Sequence, residues 1–241
     1  MTIYAPKKKE AASQKSALIS FHGHNLTLNG DGTLFWQEKN VLIVSDLHLE
    51  KGAALSSGAP LPAFDTIDTI ERLAARIALN KPQSLICLGD SFHTSERAFL
   101  LPPDSLAKLQ ELGQDTAFIW VTGNHDTHLP DRLPGRITTQ EEMAGLRFCH
   151  EADLQKDIPT ISGHYHPKAR VKLRTRALSA RCFVQSTNDL IMPAFGSYTG
   201  GLNICHEALS PFISKEAVIH LIHEQKCYSM PFDRTLFLAR Y

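Results

Sequence analysis

The sequence predicts an α/β protein in which two β-sheets face each other and helices flank them. In the first half, short apolar runs typical of buried strands alternate with amphipathic segments typical of helices. This alternation indicates parallel βαβ units, whose loops gather at the carboxyl ends of the strands. The last third contains further strand-like runs but no comparably strong helix, which predicts a second, mostly antiparallel sheet.

The length and charge of the chain limit its possible domain organisation and its possible binding to nucleic acid. Its 241 residues can bury a sizeable core, as one large α/β domain or two small ones. Neither a linker nor a repeat is visible, so we predict a single domain over residues 17–241 behind a lysine-rich, aperiodic tail at residues 1–16. The formal net charge is zero, which excludes a global basic field for nucleic acid and leaves only a local patch.

Cysteine usage indicates a reducing compartment. The five cysteines are scattered and form no Cys-x-x-Cys pair, so the sequence has no zinc-ribbon pattern. Cys87 and Cys149 lie inside apolar runs, as reduced core thiols do. No segment approaches the length and apolarity of a membrane span. We therefore expect a cytoplasmic protein without a membrane partner.

The first elements are a hairpin, a strand and a helix. Residues 17–35 alternate apolar and polar side chains around an Asn-Gly-Asp-Gly turn at 29–32, which predicts a β-hairpin. The apolar run Val41–Val44 predicts a buried strand. Residues 64–79 predict an amphipathic helix with Asp65 as its N-cap. The predicted apolar stripe of this helix consists of Ile67, Ile70, Leu73, Ala74 and Ile77.

The pattern continues with strand Ser84–Leu88, a helix that begins at Pro103 and ends before Gly113, and strand Ala117–Val121. Beyond these elements, strand-like runs lead to further histidines and then form the second sheet. They cover residues 146–149, 160–162, 181–185, 217–223 and 226–230.

Side chains that can bind a metal ion follow the ends of these strands. Asp46 and His48 come directly after the first one, and in an extended chain residues i and i+2 point to the same side, so both would leave the strand together. The other metal-capable residues are Asp90, Asn124, His125, His150, His164 and His166. Carboxylate, amide and imidazole ligands without a thiolate favour Mn, Fe or Zn over Ca or a structural zinc.

Asp90 stands between two groups of these residues and could therefore bridge two cations. Two ions about 3.5–4 Å apart can hold a hydroxide and stabilise the entering and departing oxygens of an in-line displacement at phosphorus. Metal binding can also lower the pKa of a water molecule to about 7, which supplies a nucleophile at neutral pH.

These residues resemble the five signatures of the calcineurin-like metallophosphoesterases, in the order of that family. The matching segments are Asp46-x-His48, Gly89-Asp90, Gly123-Asn124-His125-Asp126, His150 and Gly163-His164-x-His166. They span about half of the chain. The resemblance implies the family's fold, a four-layer αββα arrangement of two facing β-sheets flanked by helices. It also implies a dinuclear, metal-dependent phosphoesterase.

The same resemblance implies a role for each matched residue. One ion would be bound by Asp46, His48, Asp90 and His166. The other would be bound by Asp90, Asn124, His150 and His164. His125 would be the general acid that protonates the departing oxygen, and Asp126 would hold His125 in place.

A narrower resemblance, to the bacterial ligase-associated DNA damage response phosphoesterases, covers residues 25–203. It rests on Asp46-Leu-His-Leu-Glu-Lys-Gly, Gly89-Asp-Ser-Phe-His, His164-Tyr-His-Pro-Lys-Ala-Arg and the segment at 192–203. It implies a manganese-dependent endonuclease in DNA repair, with a DNA ligase and a helicase as partners. Thr94 stands where that group often has an acidic residue.

Several further residues are candidates for substrate contact. Lys168, Arg170, Lys172, Arg174 and Arg176 alternate with uncharged residues and would form one basic face of a strand. This face could follow a nucleic-acid backbone, or it could protect an edge strand from aggregation. Lys51 and His93 could contact a phosphate or the substrate, or lie in solvent. Residues 195–201 could shape the rim of the site or form a tight glycine turn.

The leading hypothesis is a dinuclear metal-dependent phosphodiesterase that cuts single-stranded or damaged DNA by attack of a metal-bridging hydroxide. A phosphomonoesterase or a small-nucleotide phosphodiesterase would use the same chemistry on another substrate. A third hypothesis is a non-catalytic scaffold that has kept the fold and lost the metals.

Overall fold

The structure of this chain is a computed structural model that describes residues 16–52, 64–153, 158–172, 176–197 and 199–239. The predicted N-terminal tail lies outside the described residues, apart from Ser16. Within the described residues the chain forms two β-sheets that face each other, with helices packed on the outer side of the first sheet. The predicted α/β sandwich is thus confirmed.

The first sheet contains seven strands in the described part of the chain, and they lie side by side in chain order. They are β1 (Ala17–Phe21), β2 (His24–Leu28), β3 (Leu34–Trp36), β4 (Val41–Val44), β5 (Ser84–Leu88), β6 (Ala117–Val121) and β7 (Arg136–Thr138). Strands β1 to β4 are antiparallel, and β4 to β7 are parallel. The predicted hairpin at 29–32 and the parallel arrangement are confirmed, whereas the turn at His22 and Gly23 was not predicted.

The second sheet contains eight strands within the same residues. They are β8 (Gln140–Met143), β9 (Leu146–Cys149), β10 (Thr160–Ser162), β11 (Lys168–Lys172), β12 (Ala177–Gln185), β13 (Asp189–Ile191), β14 (Val218–His223) and β15 (Lys226–Pro231). Strands β9, β10 and β13 are mutually parallel, and every other pairing is antiparallel. The prediction of a mostly antiparallel sheet is confirmed.

The described helices are α1 (Phe64–Asn80), α2 (Ser95–Phe99) and α3 (Pro103–Leu112). On α1, Ile70, Leu73 and Ile77 are buried against the first sheet, as the apolar stripe predicts, but Ile67 is 46% exposed. Asp65 lies inside the first turn, where its carboxylate accepts a hydrogen bond from the backbone N–H of Gly52 at 2.8 Å.

Apolar side chains fill three layers. The layer between the sheets includes Trp36, Phe148 and Phe183, and a second layer lies between the first sheet and the helices. Because β4 is covered on both faces, all four of its residues are buried, which explains its continuous apolar run. The outer face of the second sheet is covered by a 3₁₀ helix (Glu207–Phe212) and by Phe237.

None of the helices in the described residues is long and apolar enough to cross a lipid bilayer.

Candidate metal centre

Loops after five strands carry the metal-capable side chains. Strands β4, β5 and β6 are parallel in the first sheet, and β9 and β10 are parallel in the second. The carboxyl ends of parallel strands meet at one edge of a sheet. The side chains that follow them are Asp46 and His48 after β4, Asp90 after β5, Asn124 and His125 after β6, His150 after β9, and His164 and His166 after β10.

Asp46, His48 and His166 form one cluster, in which one ligand atom from each lies within 4.8 Å of the others. His166 Nε2 is 3.0 Å from Asp46 Oδ1 and 3.3 Å from His48 Nε2. The Asp46 carboxylate is fully buried and also accepts hydrogen bonds from Ser45 Oγ and from the backbone N–H of His164. The cluster therefore joins the two sheets.

Asp90, His150 and His164 form a second cluster by the same criterion. His150 Nε2 is 3.3 Å from Asp90 Oδ2 and 3.1 Å from His164 Nδ1. Asn124 Oδ1 lies 2.9 Å from His150 Nε2 and 3.0 Å from His164 Nδ1. The two clusters are neighbours, because His150 Nδ1 is only 3.9 Å from Asp46 Oδ1.

The chemistry of these donors fits divalent cations. Each cluster places two imidazole nitrogens in close approach beside a carboxylate oxygen, which is the geometry expected around a shared ion. His48 Nδ1 is buried without a hydrogen-bond partner among the described residues. Two candidate sites side by side fit a dinuclear metal centre, while the identity of the metal and the individual ligand roles stay predictions.

The backbone at these residues differs from the expected extended strand. Asp46 and His48 lie beyond the end of β4 with φ of 53° and 44°, and Asp90, His164 and His166 have φ of 46°, 68° and 45°. The predicted extended backbone at Asp46 and His48 was therefore wrong, although the side chains do meet. A left-handed conformation in non-glycine residues costs about 1–3 kcal/mol each and persists only where the surrounding structure enforces it.

Two glycines of the motifs are required by close approach. A Cβ atom on Gly123 would lie 2.1 Å from Asp90 Oδ1, and one on Gly163 would lie 2.5 Å from Asp46 Oδ2. Each glycine therefore allows the backbone of one loop to pass directly against the carboxylate of another.

The protonation equilibria of the two clusters differ. Burial lowers the pKa of His48 to about 4, so the first cluster contains a neutral imidazole. Burial opposes charge on His150 and on Asp90, but the hydrogen bond between them raises the pKa of His150 to about 9 and lowers that of Asp90 to about 2. At neutral pH the second cluster therefore contains a protonated His150 beside an ionised Asp90, so a positive charge between the two groups is favourable.

Asp126 and His125 are placed differently from the expectation. The Asp126 carboxylate accepts backbone N–H groups of Asp90, Phe92 and Gly123, and burial raises its pKa to about 6. It thus holds the Asp90 loop. The His125 ring instead lies with Nδ1 3.1 Å from the carbonyl oxygen of His93, and its Nε2 is 4.0 Å from Asp90 Oδ2.

Of the expected substrate contacts, His93 and Lys168 lie beside the centre, and the role of the whole set stays a prediction. His93 stacks against His125 with ring centroids 5.9 Å apart, and burial lowers its pKa, with the charge of Lys51 adding to the effect. Lys168 and Arg170 are half-buried on β11 and Lys172 is exposed. Arg174 lies outside the described residues. Arg176 is exposed in a bend beyond β11, so the basic strand is shorter than the sequence pattern suggests.

Two supporting groups were not found from the sequence. The carbonyl oxygen of Leu88 lies 3.0 Å from His150 Nδ1 and directs Nε2 of that ring towards Asp90. Glu151 Oε1 lies 3.7 Å from His164 Nε2. A backbone carbonyl has no signature in a sequence, but Glu151 directly follows His150 and could have been considered.

Comparison with known proteins agrees with this geometry. The model of the calcineurin-like phosphoesterase family matches residues 39–202. The fold is similar to that of the Pseudomonas putida nuclease MPE, with a TM-score of 0.70 and 26% identity, over 90% of this chain and all of that one. A second solved structure, the E. coli phosphoesterase Yfce, has 14% identity and a TM-score of 0.40 over 80% of this chain and 99% of that one. No curated protein sequence matches the chain.

Proposed function

This chain belongs to the calcineurin-like phosphoesterase family, and on that basis we propose that it is a dinuclear metal-dependent phosphodiesterase that cleaves DNA. The observation that carries the proposal is the meeting of four separate loops in two adjacent Asp/His clusters, with Asn124 of a fifth loop in contact with the second cluster. The complete donor set argues against a scaffold that has lost its metals.

Two bound divalent ions would supply Lewis acidity and a hydroxide nucleophile at neutral pH. Asp46 and Asp90 provide the buried carboxylates that such ions require. Asp90 is already tied to His125, because the backbone N–H of His125 donates to Asp90 Oδ1 at 2.9 Å. His125 therefore lies beside the two metal-binding clusters, but it belongs to neither of them.

In this proposal, His125 protonates the departing sugar oxygen. Its Nδ1 faces the carbonyl of His93 and is the atom that carries a proton there, since a carbonyl only accepts. Its Nε2, which must also carry a proton for this step so that the ring is an imidazolium, lies on the side of Asp90, and the side chain is 42% exposed. A substrate can reach Nε2 from solvent, as a general acid requires.

DNA as the substrate is supported by the surroundings of the centre. Asn124 and His125 are exposed, and the basic face of β11 begins two residues after His166. The similar P. putida protein is a nuclease. A small-nucleotide diester is the second candidate, because a cavity of about 430 Å³ next to His166 is large enough for a small molecule.

The metal and the compartment follow from the chemistry of the ligands and the thiols. We propose manganese, because the carboxylate and amide oxygens of the centre suit it, and the cytoplasm, because the five cysteines are free thiols. A role in DNA repair beside a ligase and a helicase rests on the family resemblance of the motifs alone.

The test compares substrates after metal removal and replacement. Chelator-treated protein would be supplied with Mn, Mg or Zn and given 4-nitrophenyl phosphate, bis(4-nitrophenyl) phosphate and circular single-stranded DNA. We expect nicking of the circles that is absent in Asp90→Asn. The matched control is Asp104→Asn, which changes an exposed acid in the first turn of α3. Fast monoester turnover with intact circles would contradict a nuclease while leaving the phosphoesterase assignment.

A further inference from the structure

A cavity beside the metal centre has no role in the DNA cleavage proposed above. It has a volume of about 430 Å³ and is bordered by His166, by α1 and by Ala194, Gly196, Ser197, Thr199 and Gly200. The last five of these residues belong to the segment at 192–203, which the proposed mechanism does not use. Its other charged lining residues are Asp68, Arg72, Lys168 and Arg181.

The lining carries an excess of positive charge. Arg72 is paired with Asp68 at 3.1 Å, and the nearby Asp31 is paired with Arg76 at 2.6 Å. The carboxylates of Asp68 and Asp31, the two acids next to the cavity, therefore already have an arginine partner. Lys168 and Arg181 have no carboxylate partner among the described residues.

Arg181 is held in place by neutral groups only. Its two terminal nitrogens donate to the carbonyl oxygens of Ala194 at 2.9 Å and of Asp31 at 2.7 Å. Burial and the neighbouring charge of Arg72 lower the pKa of Arg181, and the charge of Asp31 opposes them only in part. A bound anion would relieve both effects, because it would supply the negative charge that the carbonyls lack.

The cavity wall is fixed to the metal centre. The backbone N–H groups of Phe195 and Gly196 donate to the carbonyl oxygens of Ser45 and Asp46 at 2.8 and 3.1 Å. The aliphatic stem of Lys168 lies across Gly201, where a Cβ atom would approach Lys168 Cε to 3.0 Å. The loop is thus in direct contact with both Asp46 and Lys168.

We propose that this cavity is a second phosphate-binding subsite, which binds a phosphate group of the substrate other than the one being hydrolysed. The proposal rests on the proposed function, since it assumes a substrate with at least two phosphates. Lys168 and Arg181 bind the phosphate, and Arg72 positions the wall through the carbonyl of Phe195. The phosphate belongs either to the neighbouring diester of a strand or to a terminal monoester.

The test compares substrates that contain one phosphate with substrates that contain a second phosphate at different positions. They are bis(4-nitrophenyl) phosphate and the thymidine oligonucleotides TpT, TpTpT, pTpT and TpTp, assayed with metal-loaded protein. We expect Lys168→Met to lower kcat/KM about ten- to a hundredfold on substrates with a second phosphate, the range of a lost charged hydrogen bond. Its effect on TpT and on the nitrophenyl diester should stay below about twofold.

Two further variants keep the experiment decisive. Arg181→Gln tests the subsite from another strand if Lys168→Met does not fold. Lys39→Met is the matched control, because Lys39 is exposed at the amino end of β4, whereas the metal centre follows its carboxyl end. It should change none of the five rates.

The outcomes separate the alternatives. A selective loss on TpTpT assigns the subsite to a neighbouring diester, and a selective loss on pTpT or TpTp assigns it to a terminal phosphate. Equal losses on all substrates, or no loss on any, would overturn the subsite.

If the unaltered protein hydrolyses neither TpT nor the nitrophenyl diester, the proposed function fails and binding decides the subsite. Chelator-treated protein would be titrated into fluorescently labelled TpTpT and followed by anisotropy. A Kd about fivefold or more higher in Lys168→Met, with Lys39→Met unchanged, supports the subsite. Equal affinities would refute it.

Discussion

At the scale of single residues, the centre combines buried carboxylates with strained backbone. Asp46 and Asp90 are almost fully buried, and both have left-handed φ values. Hydrogen bonds from neighbouring loops hold them there, so each ligand depends on residues far away in the sequence. Replacing one ligand therefore removes a charge and also loosens the loops that contact it.

His125→Ala should separate chemistry from metal binding. We expect the metal content to stay unchanged and the rate on DNA to fall roughly 10²–10⁴-fold, because a sugar oxygen is a poor leaving group that needs a proton. On bis(4-nitrophenyl) phosphate, whose leaving group needs no acid, the loss should be below about tenfold. Rates and metal content by mass spectrometry would measure this.

The matched control for that variant is His223→Ala, which removes a half-exposed histidine at the end of β14. A metal content that falls together with activity in His125→Ala would show that His125 binds an ion.

At the scale of elements, short structures hold the loops of the centre. Helix α2 begins at Ser95, and Thr94 is its N-cap, with Oγ1 accepting from the backbone N–H of Arg97 at 3.2 Å. An acidic residue can cap a helix in the same way. Thr94 therefore caps α2, a role that an acidic residue at this position could also fill.

Thr94→Ala should lower the free energy of unfolding by about 1 kcal/mol, because the cap is lost. Thr94→Asp should lie within a few tenths of a kcal/mol of the unaltered protein and bind metal equally well. Urea unfolding and metal titration test both variants. A metal affinity that rises in Thr94→Asp would instead point to an electrostatic role for the acid.

His220 on β14 should make the second sheet sensitive to acid. It is buried between Ser229 Oγ and Gln185 Oε1, and burial lowers its pKa from 6.5 to about 4. The unfolded chain therefore binds a proton that the folded chain does not between these two pH values. The contribution of His220 to the free energy of unfolding should be fully present above pH 6.5 and should be lost as the pH drops towards 4.

The full effect of this one group is about 3 kcal/mol. Urea unfolding between pH 4 and 7 would measure it, with the slope compared between the unaltered protein and His220→Gln. The variant should have the shallower slope, even if it is less stable at pH 7. Identical slopes would assign the acid sensitivity to other groups.

At the scale of the whole molecule, the centre lies at the junction of the two sheets. Asp46 and Asp90 come from the first sheet, and His150, His164 and His166 come from the second. Ions bound there would link the sheets at an edge where the apolar layer between them ends. Metal binding is therefore expected to be coupled to the stability of the entire fold.

Metal removal should lower the melting temperature by about 5–10 °C. Binding at a hundred times Kd stabilises the folded state by about 2.7 kcal/mol, and each kcal/mol shifts the Tm of a chain of this size by about 2–4 °C. Thermal unfolding with and without chelator would measure this. In Asp90→Asn the shift should nearly vanish, and a full shift in that variant would place the stabilising ions elsewhere.

Much of the fold followed from local patterns. The bounds of strands β4, β5, β6, β9 and β10 and of helix α3 were predicted, because continuous apolar runs and a Pro start with a Gly stop are local signals. Strands β7, β8 and β13 were missed, since they are short and take their stability from pairing with neighbours. Ile67 was assigned to the wrong face of α1 because periodicity alone does not define the width of the contact.

The sequence by itself determined the set of metal-capable residues and their order along the chain, because the signatures are local combinations of residue types. Only the tertiary structure decided how they converge: the left-handed turns, the backbone carbonyls that orient His125 and His150, and the cavity lined by Lys168 and Arg181. The physical reason is that these features depend on contacts between segments far apart in the chain, and the residues involved carry no common pattern before folding brings them together.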